Sequence, residues 1–117
     1  MKFLVWGTGA LAEQYLLQKG SGTDIINRAI IAFVDNNDRM VGKEFLDKKI
    51  ISPKDISSYT FDKIVILSSY ENEIRNQIVD ELGFQESIIW GLDDFNNYVC
   101  QALINDYDVL SKKILII

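Results

Sequence analysis

Short apolar runs alternate along the chain with segments whose apolar residues recur at helical spacing. Apolar residues on successive positions are typical of parallel strands that are covered on both faces. The runs predict five strands: Phe3–Trp6, Ala29–Val34, a short one at Lys49–Ser52, Lys63–Leu67 and Ser87–Trp90. Trp6 and Trp90, at the ends of two of these runs, are expected to pack in the core.

The segments between the strands predict helices. One follows the first strand and stops at Gly20, and a second opens at Ser68–Glu71, which has capping-box spacing. Pro53–Ser58 and Asp93–Asn105 are the other two, and residues 21–24 read as a loop. Strands alternating with helices predict an α/β domain with a mostly parallel sheet and right-handed crossovers.

The last six residues, Lys112–Ile117, begin like another buried strand. We expect them to form the last strand of the sheet, with the start of a further domain as the alternative. A terminal run of aliphatic residues left exposed would favour aggregation. We therefore expect the natural protein to continue beyond this single domain of residues 1–117.

The connection between the first strand and the first helix carries the clearest chemical signal. Its pattern is Gly7-x-Gly9-x-x-Ala12, which in this context is a dinucleotide-binding fingerprint. Gly7 permits a tight turn, Gly9 lets a phosphate approach the backbone, and Ala12 lets the helix pack closely on the strand. We expect the turn and the first residues of the helix to face the phosphate; these residues are Gly7, Thr8, Gly9, Ala10 and Leu11. The alternative is a tight turn in a domain without a ligand.

Asp35 follows the second predicted strand at the position where dinucleotide-binding domains carry an acid that accepts hydrogen bonds from ribose hydroxyls. No arginine lies directly beside it to hold a 2′-phosphate, so the sequence favours NAD over NADP. Asn36 is next in the chain and joins the candidate site. The alternative is that Asp35 only shapes a turn, since polar turn residues follow it.

Ser68 and Ser69 follow the central strand Lys63–Leu67. Open α/β sheets bind ligands in the crevice outside the carboxyl ends of their strands, so these serines and Tyr70 are expected to line the site. The alternative role of the serines is to cap the helix that follows.

Composition narrows the functions open to the chain. It has 117 residues, 48% of them hydrophobic, and a net charge of −5. This acidic balance disfavours nucleic acid and anionic membranes as partners. The apolar runs are short of a membrane span, and no signal peptide is evident at the start.

The chain has no histidine and one cysteine. Catalysis by Ser-His-Asp or Cys-His groups is therefore excluded within it, as are an internal disulfide and a cysteine-cluster metal site. We expect Cys100 to be a buried, inert thiol. We also expect that the chain has no metal site and no catalytic residue, and that the protein is cytoplasmic.

Four segments together resemble a family of bacterial Rossmann-type domains over about residues 1–95. They are V-W-G-T-G-A-L-A (Val5–Ala12), I-I-A-F-V-D-N-N (Ile30–Asn37), V-G-K-E-F-L-D-K-K-I-I-S-P-K-D-I (Val41–Ile56) and K-I-V-I-L-S-S (Lys63–Ser69). Similar domains form the N-terminal halves of sugar acyltransferases and the leading domain of membrane-bound nucleotide-sugar dehydratases of polysaccharide synthesis. They are also attached to some methyltransferases. CoA-binding domains and NADH-sensing repressor domains are more distantly similar.

The resemblance implies a three-layer Rossmann-like fold in which Gly7, Gly9 and Asp35 contact a nucleotide. The implied ligand is NAD(H) or a UDP-sugar, and the implied setting is a cell-surface polysaccharide or sugar-nucleotide biosynthesis protein. The acyltransferase modules often have a histidine in the glycine turn, where this chain has Thr8 and Ala10. The alternatives are half of an NAD-dependent oxidoreductase, or a vestigial module for dimerisation or for docking a fused catalytic domain.

Overall fold

The computed structural model describes residues 1–20 and 24–115, with side chains for residues 1–18 and 26–105. The six strands are β1 (Phe3–Trp6), β2 (Ile30–Val34), β3 (Glu44–Phe45), β4 (Lys48–Ile51), β5 (Lys63–Ile66) and β6 (Ile89–Trp90). The α-helices are α1 (Ala10–Gly20), α2 (Asp24–Ala29), α3 (Glu71–Asn76) and α4 (Leu92–Leu115). A π-helical turn (Gln77–Glu81) extends α3, and two 3₁₀ helices cover Pro53–Ser58 and Glu86–Ile88.

The strands form one sheet in the order β3-β4-β2-β1-β5-β6. All neighbouring pairs are parallel except β3 with β4. From β1 the chain builds outward through β2 to β4, then returns to the other side of β1 for β5 and β6. The order of the strands therefore reverses between β1 and β5, which is where open α/β sheets bind ligands.

Helices cover both faces of the sheet and make three layers. On one face, Phe3 and Val5 of β1 pack in a cluster with buried residues of α1, α2 and α4. On the other face, Leu4 and Trp6 pack with buried residues of α3 and the 3₁₀ helix at Pro53–Ser58. The alternation of β1 side chains between two buried faces explains why the whole strand is apolar, and it confirms the predicted α/β fold with a mostly parallel sheet.

Aromatic rings distinguish the face that carries α1 and α4. Phe3 packs edge-on against Phe95 at a centroid distance of 5.3 Å and against Tyr98 at 5.1 Å, and Trp90 lies 5.6 Å from Phe3. The core role predicted for Trp90 is confirmed by these contacts, and that of Trp6 by its 2% exposure. Large rings in contact fix where the start of α4 lies on the sheet.

The structure also contains elements that the apolar pattern did not predict. Helix α2 precedes the second strand, which begins at Ile30, and β3 pairs with β4 as a hairpin. The hairpin turn places Leu46 and Asp47 at φ values of 48° and 67°, a conformation more typical of Gly and Asn, so the usual sequence signal is missing. Helix α2 is six residues long, too short for a clear period.

Residues 112–115 belong to α4, so the expectation of a terminal strand there is wrong, and Ile116 and Ile117 lie outside the described residues. A short aliphatic run fits a helix as well as a strand, and here the helix from Leu92 continues through it. The loop expected at residues 21–24 lies largely outside the described residues, with Asp24 beginning α2. Cys100 is only partly buried, which corrects the expectation of a buried thiol.

Candidate functional site

A cavity of about 680 Å³ opens at the carboxyl ends of β1, β2 and β5. The three strands end level with one another, because Trp6 is paired with both Val34 and Ile66. All nine residues predicted for the site line this cavity: Gly7, Thr8, Gly9, Ala10, Leu11, Asp35, Asn36, Ser68 and Ser69. The fold thus brings residues from three separate segments to one place.

Gly7 makes the turn off β1 and is closed in by its neighbours. Its N–H donates to the carbonyl oxygen of Val34 at 3.1 Å, and its φ of +138° is one that L side chains rarely adopt. A Cβ at this position would overlap the carbonyl oxygen of Leu67. Gly7 is therefore required by packing at the junction of three strands, whatever the cavity holds.

Gly9 is in the opposite situation. A Cβ built there has no heavy atom within 4 Å, and the residue lines the cavity. Its carbonyl oxygen accepts the first bond of α1, from the N–H of Glu13 at 3.0 Å. The N–H groups in the first turn of a helix have no partner within the helix, so the start of α1 can donate to an anion.

The Asp35 carboxylate joins the glycine turn to the loop after β2. The hydroxyl of Thr8 donates to Asp35 Oδ2, and the N–H of Asn37 donates to Oδ1 at 2.8 Å. Asp35 therefore does shape a turn, as the alternative interpretation held. The same bonds orient a carboxylate on the cavity wall, and its remaining lone pairs can accept hydrogen bonds from hydroxyl groups.

Ser68 does not cap α3. Its Oγ accepts from the N–H of Tyr70 at 3.1 Å, and α3 begins at Glu71 with Tyr70 in the cap position and no capping side chain. The predicted capping box is wrong. A serine hydroxyl can accept from the N–H two residues later in the chain, and this N–H lies nearer to Ser68 than the N–H groups of the first turn of α3. Tyr70 is 67% exposed and lines the cavity with the two serines.

Two further polar residues of α3 and its extension, Glu73 and Gln77, line the cavity but were not predicted. Gln77 forms two hydrogen bonds with Asn36, across 41 residues of sequence. The sequence offered only a local signal for them: Glu73 and Gln77 are four residues apart on a helix that follows a strand at the ligand-binding edge.

The cavity wall carries two carboxylates, Asp35 and Glu73, and no lysine or arginine is among the described residues that line it. A phosphate group bound here would therefore depend on the N–H groups at the start of α1. Among the described residues no cluster of three or more His, Cys, Asp or Glu side chains could hold a metal ion. Within the same part of the chain, no helix has the length and apolar character that crossing a membrane requires.

Solved structures of similar fold include RSP, a Rex-family repressor, with a TM-score of 0.53 and 12% identity, and RSP in complex with β-NADH, with 0.52 and 11%. Each match covers 95% of this chain, which spans 62% of the RSP chain. A UDP-D-quinovosamine 4-dehydrogenase from Vibrio fischeri has a TM-score of 0.48 and 19% identity, over 82% of this chain and 83% of that one.

At these identities the similarity concerns the fold alone, which is Rossmann-like, as expected from the resemblance to NADH-sensing repressor domains. No curated protein sequence matches significantly. The family model for C2185-like N-terminal domains matches residues 1–90, which is most of the chain. The chain is therefore a member of the C2185-like N-terminal family.

Proposed function

We propose that residues 1–117 form one nucleotide-binding unit whose ligand is NAD(H), held in the cavity at the ends of β1, β2 and β5. The observation that carries the proposal is the meeting of the open Gly9 backbone, the start of α1 and the Asp35 carboxylate on one cavity wall. A cavity of about 680 Å³ is within the size range of small-molecule sites. The complex of the similarly folded RSP with β-NADH supports the choice of ligand.

Each part of the ligand has a counterpart in the chain. The diphosphate would lie against Gly9, Ala10 and Leu11, where the N–H groups and the positive end of the α1 dipole meet an anion. The ribose hydroxyls would donate to Asp35, which Thr8 holds in place. Ser68 and Ser69 would contact the ligand from the β5 side.

The setting we propose is sugar-nucleotide or cell-surface polysaccharide biosynthesis, on the strength of the resemblance carried by the four sequence segments. A UDP-sugar is the alternative ligand, because it also has a diphosphate and a ribose. We expect residues 1–117 on their own to bind the nucleotide without turnover. No lysine follows Tyr70 in the next helical turn to assist it in proton transfer.

Calorimetric titration with NADH, UDP and UDP-N-acetylglucosamine tests the proposal. Gly9→Val fills the space that the phosphate would occupy, and losing two charge-assisted hydrogen bonds should weaken NADH binding by about 100-fold. Gln14→Val is the matched control, because Gln14 is exposed on the same helix and outside the cavity. If none of the three ligands binds at millimolar concentration, the proposal is contradicted. If the UDP compounds bind more tightly than NADH, the ligand is a UDP-sugar and not NAD(H).

A further inference from the structure

The amide side chains of Asn36 and Gln77 form a mutually hydrogen-bonded pair on the cavity wall. Asn36 Nδ2 donates to Gln77 Oε1 at 2.9 Å, and Gln77 Nε2 donates to Asn36 Oδ1 at 2.8 Å. The pair joins the loop after β2 to the helical segment after β5. It is a direct side-chain link between the two segments that flank β1 at this edge of the sheet.

The surroundings of the amide pair suit a flat heterocycle. The buried side chains of Val34 and Ile74 line the same cavity, so apolar surface and amide groups occur together. Ligand sites commonly combine apolar walls with a few polar groups that fix orientation. Asn36 is exposed and Gln77 half-buried, so opening the pair leaves no amide group stranded away from water.

We propose that Asn36 and Gln77 recognise the nucleobase of the bound nucleotide, and that this base is adenine. The inference rests on the proposed function, in which Asp35 accepts from the ribose. The base is attached to the carbon next to the one that bears the 2′-hydroxyl, and Asn36 is the residue next to Asp35. Asp35, Asn36 and Gln77 all line the same cavity, so a ribose on Asp35 places its base within reach of the amide pair.

Hydrogen-bonding capacity selects adenine over uracil. The pair satisfies itself with one donor and one acceptor from each amide. Adenine offers two N6–H donors flanked by two acceptors, N1 and N7. It can therefore bind the donor and the acceptor of both amides and replace the bonds that the amides make to each other. Uracil offers one donor between two acceptors and leaves one amide oxygen without a partner. An amide paired to the N6/N7 edge is the usual way in which Asn and Gln read adenine.

Competition between bases tests this assignment. ADP and UDP share the ribose and diphosphate, so calorimetry on the unmodified protein should show ADP binding about tenfold more tightly, equivalent to one or two net hydrogen bonds. Gln77→Leu should remove that preference by weakening ADP and leaving UDP nearly unchanged. Gln77→Glu keeps the side-chain size but cannot donate, and it should weaken ADP in the same direction. Asn76→Ala is the control, since Asn76 precedes Gln77 and does not line the cavity.

The outcomes separate this inference from the proposed function. If ADP binding depends on Gly9 but is unaffected by both Gln77 variants, base recognition by the pair is refuted and nucleotide binding stands. If UDP is preferred and Gln77→Leu abolishes that preference, the pair reads uracil and the adenine assignment is wrong. If neither diphosphate nor NADH binds the unmodified protein, both proposals fail.

Discussion

The connection between β1 and α1 contains two glycines in opposite surroundings. Gly7 is closed in by the ends of β2 and β5, and a Cβ there would overlap the Leu67 carbonyl oxygen. Gly9, two residues later, faces open space in the cavity. Gly7 is needed because backbone atoms fill the space around it, whereas Gly9 leaves the space beside it empty. The same motif thus combines a glycine that packing requires with a glycine that faces an open cavity.

Helix α1 shows the same contrast along its length. Its first residues, Ala10 and Leu11, line the cavity, whereas Ala12 and Leu16 are buried against the sheet. Tyr15, between them, packs against that cluster and donates its hydroxyl to Asn96 Oδ1 of α4 at 2.8 Å. Substitutions on the packed side should therefore change folding stability, and those on the open side should change binding.

The sharpest test of this contrast is to add one methyl group at each glycine. Gly7→Ala should lower the free energy of unfolding by about 3 kcal/mol, because the residue combines a positive φ with a backbone overlap. Gly9→Ala should change it by less than about 1 kcal/mol, since its Cβ meets nothing. Urea denaturation of both variants gives the comparison. Equal losses would show that the two positions do not differ as the packing indicates.

On the open side, the Asp35 carboxylate should discriminate between nicotinamide cofactors. The unmodified protein should bind NADH more tightly than NADPH, because the carboxylate accepts from the 2′-hydroxyl and repels a 2′-phosphate. Asp35→Ala should reduce that advantage by about tenfold, the value of one hydrogen bond to a charged group. Competitive fluorescence titration of both cofactors measures the ratio.

Asp35→Asn is the control for structure at this position. Its amide oxygen can still accept a bond from the Asn37 N–H or the Thr8 hydroxyl, so it separates the loss of charge from the loss of the turn. If the unmodified protein binds NADH and NADPH equally, Asp35 has no role in recognising the ribose.

The smallest expected effect is on the packed side, at Tyr15. Burial, and secondarily the nearby Cys100, raise its pKa from 10.0 to about 12. The folded state therefore holds the phenol proton more tightly than the unfolded state does. The resulting contribution to stability is complete below pH 10 and is lost as the pH rises from 10 towards 12.

Tyrosinate absorbance during alkaline titration should show a late step that Tyr15→Phe removes. The same change at the exposed Tyr70 should leave that step in place and is the control. Urea denaturation across this pH range should show a shallower decline of stability for Tyr15→Phe than for the unmodified protein. A late step that persists in Tyr15→Phe would mean that another group titrates there.

Much of the fold followed from local pattern. The apolar runs predicted β1 with its bounds and the cores of β2, β4, β5 and β6, and Pro53 predicted the start of the short helix Pro53–Ser58. These elements can be predicted because their signals, the period of the apolar residues and a Pro or Gly at the ends, each span only a few residues. The prediction of a candidate site at the strand ends used the same local signals, and its nine residues do line one cavity.

The tertiary structure decided what depends on distant segments. The Thr8–Asp35 bond and the Asn36–Gln77 pair join residues 27 and 41 positions apart, and the pairing of β1 with β5 joins Phe3 to Lys63. No local period encodes such contacts, because they depend on how complete elements pack. The same holds for the helical form of residues 112–115, where the continuing α4 prevails over a run that also fits a strand. The sequence alone indicated which residues follow the strands at this edge of the sheet, and packing decided which of their side chains meet there.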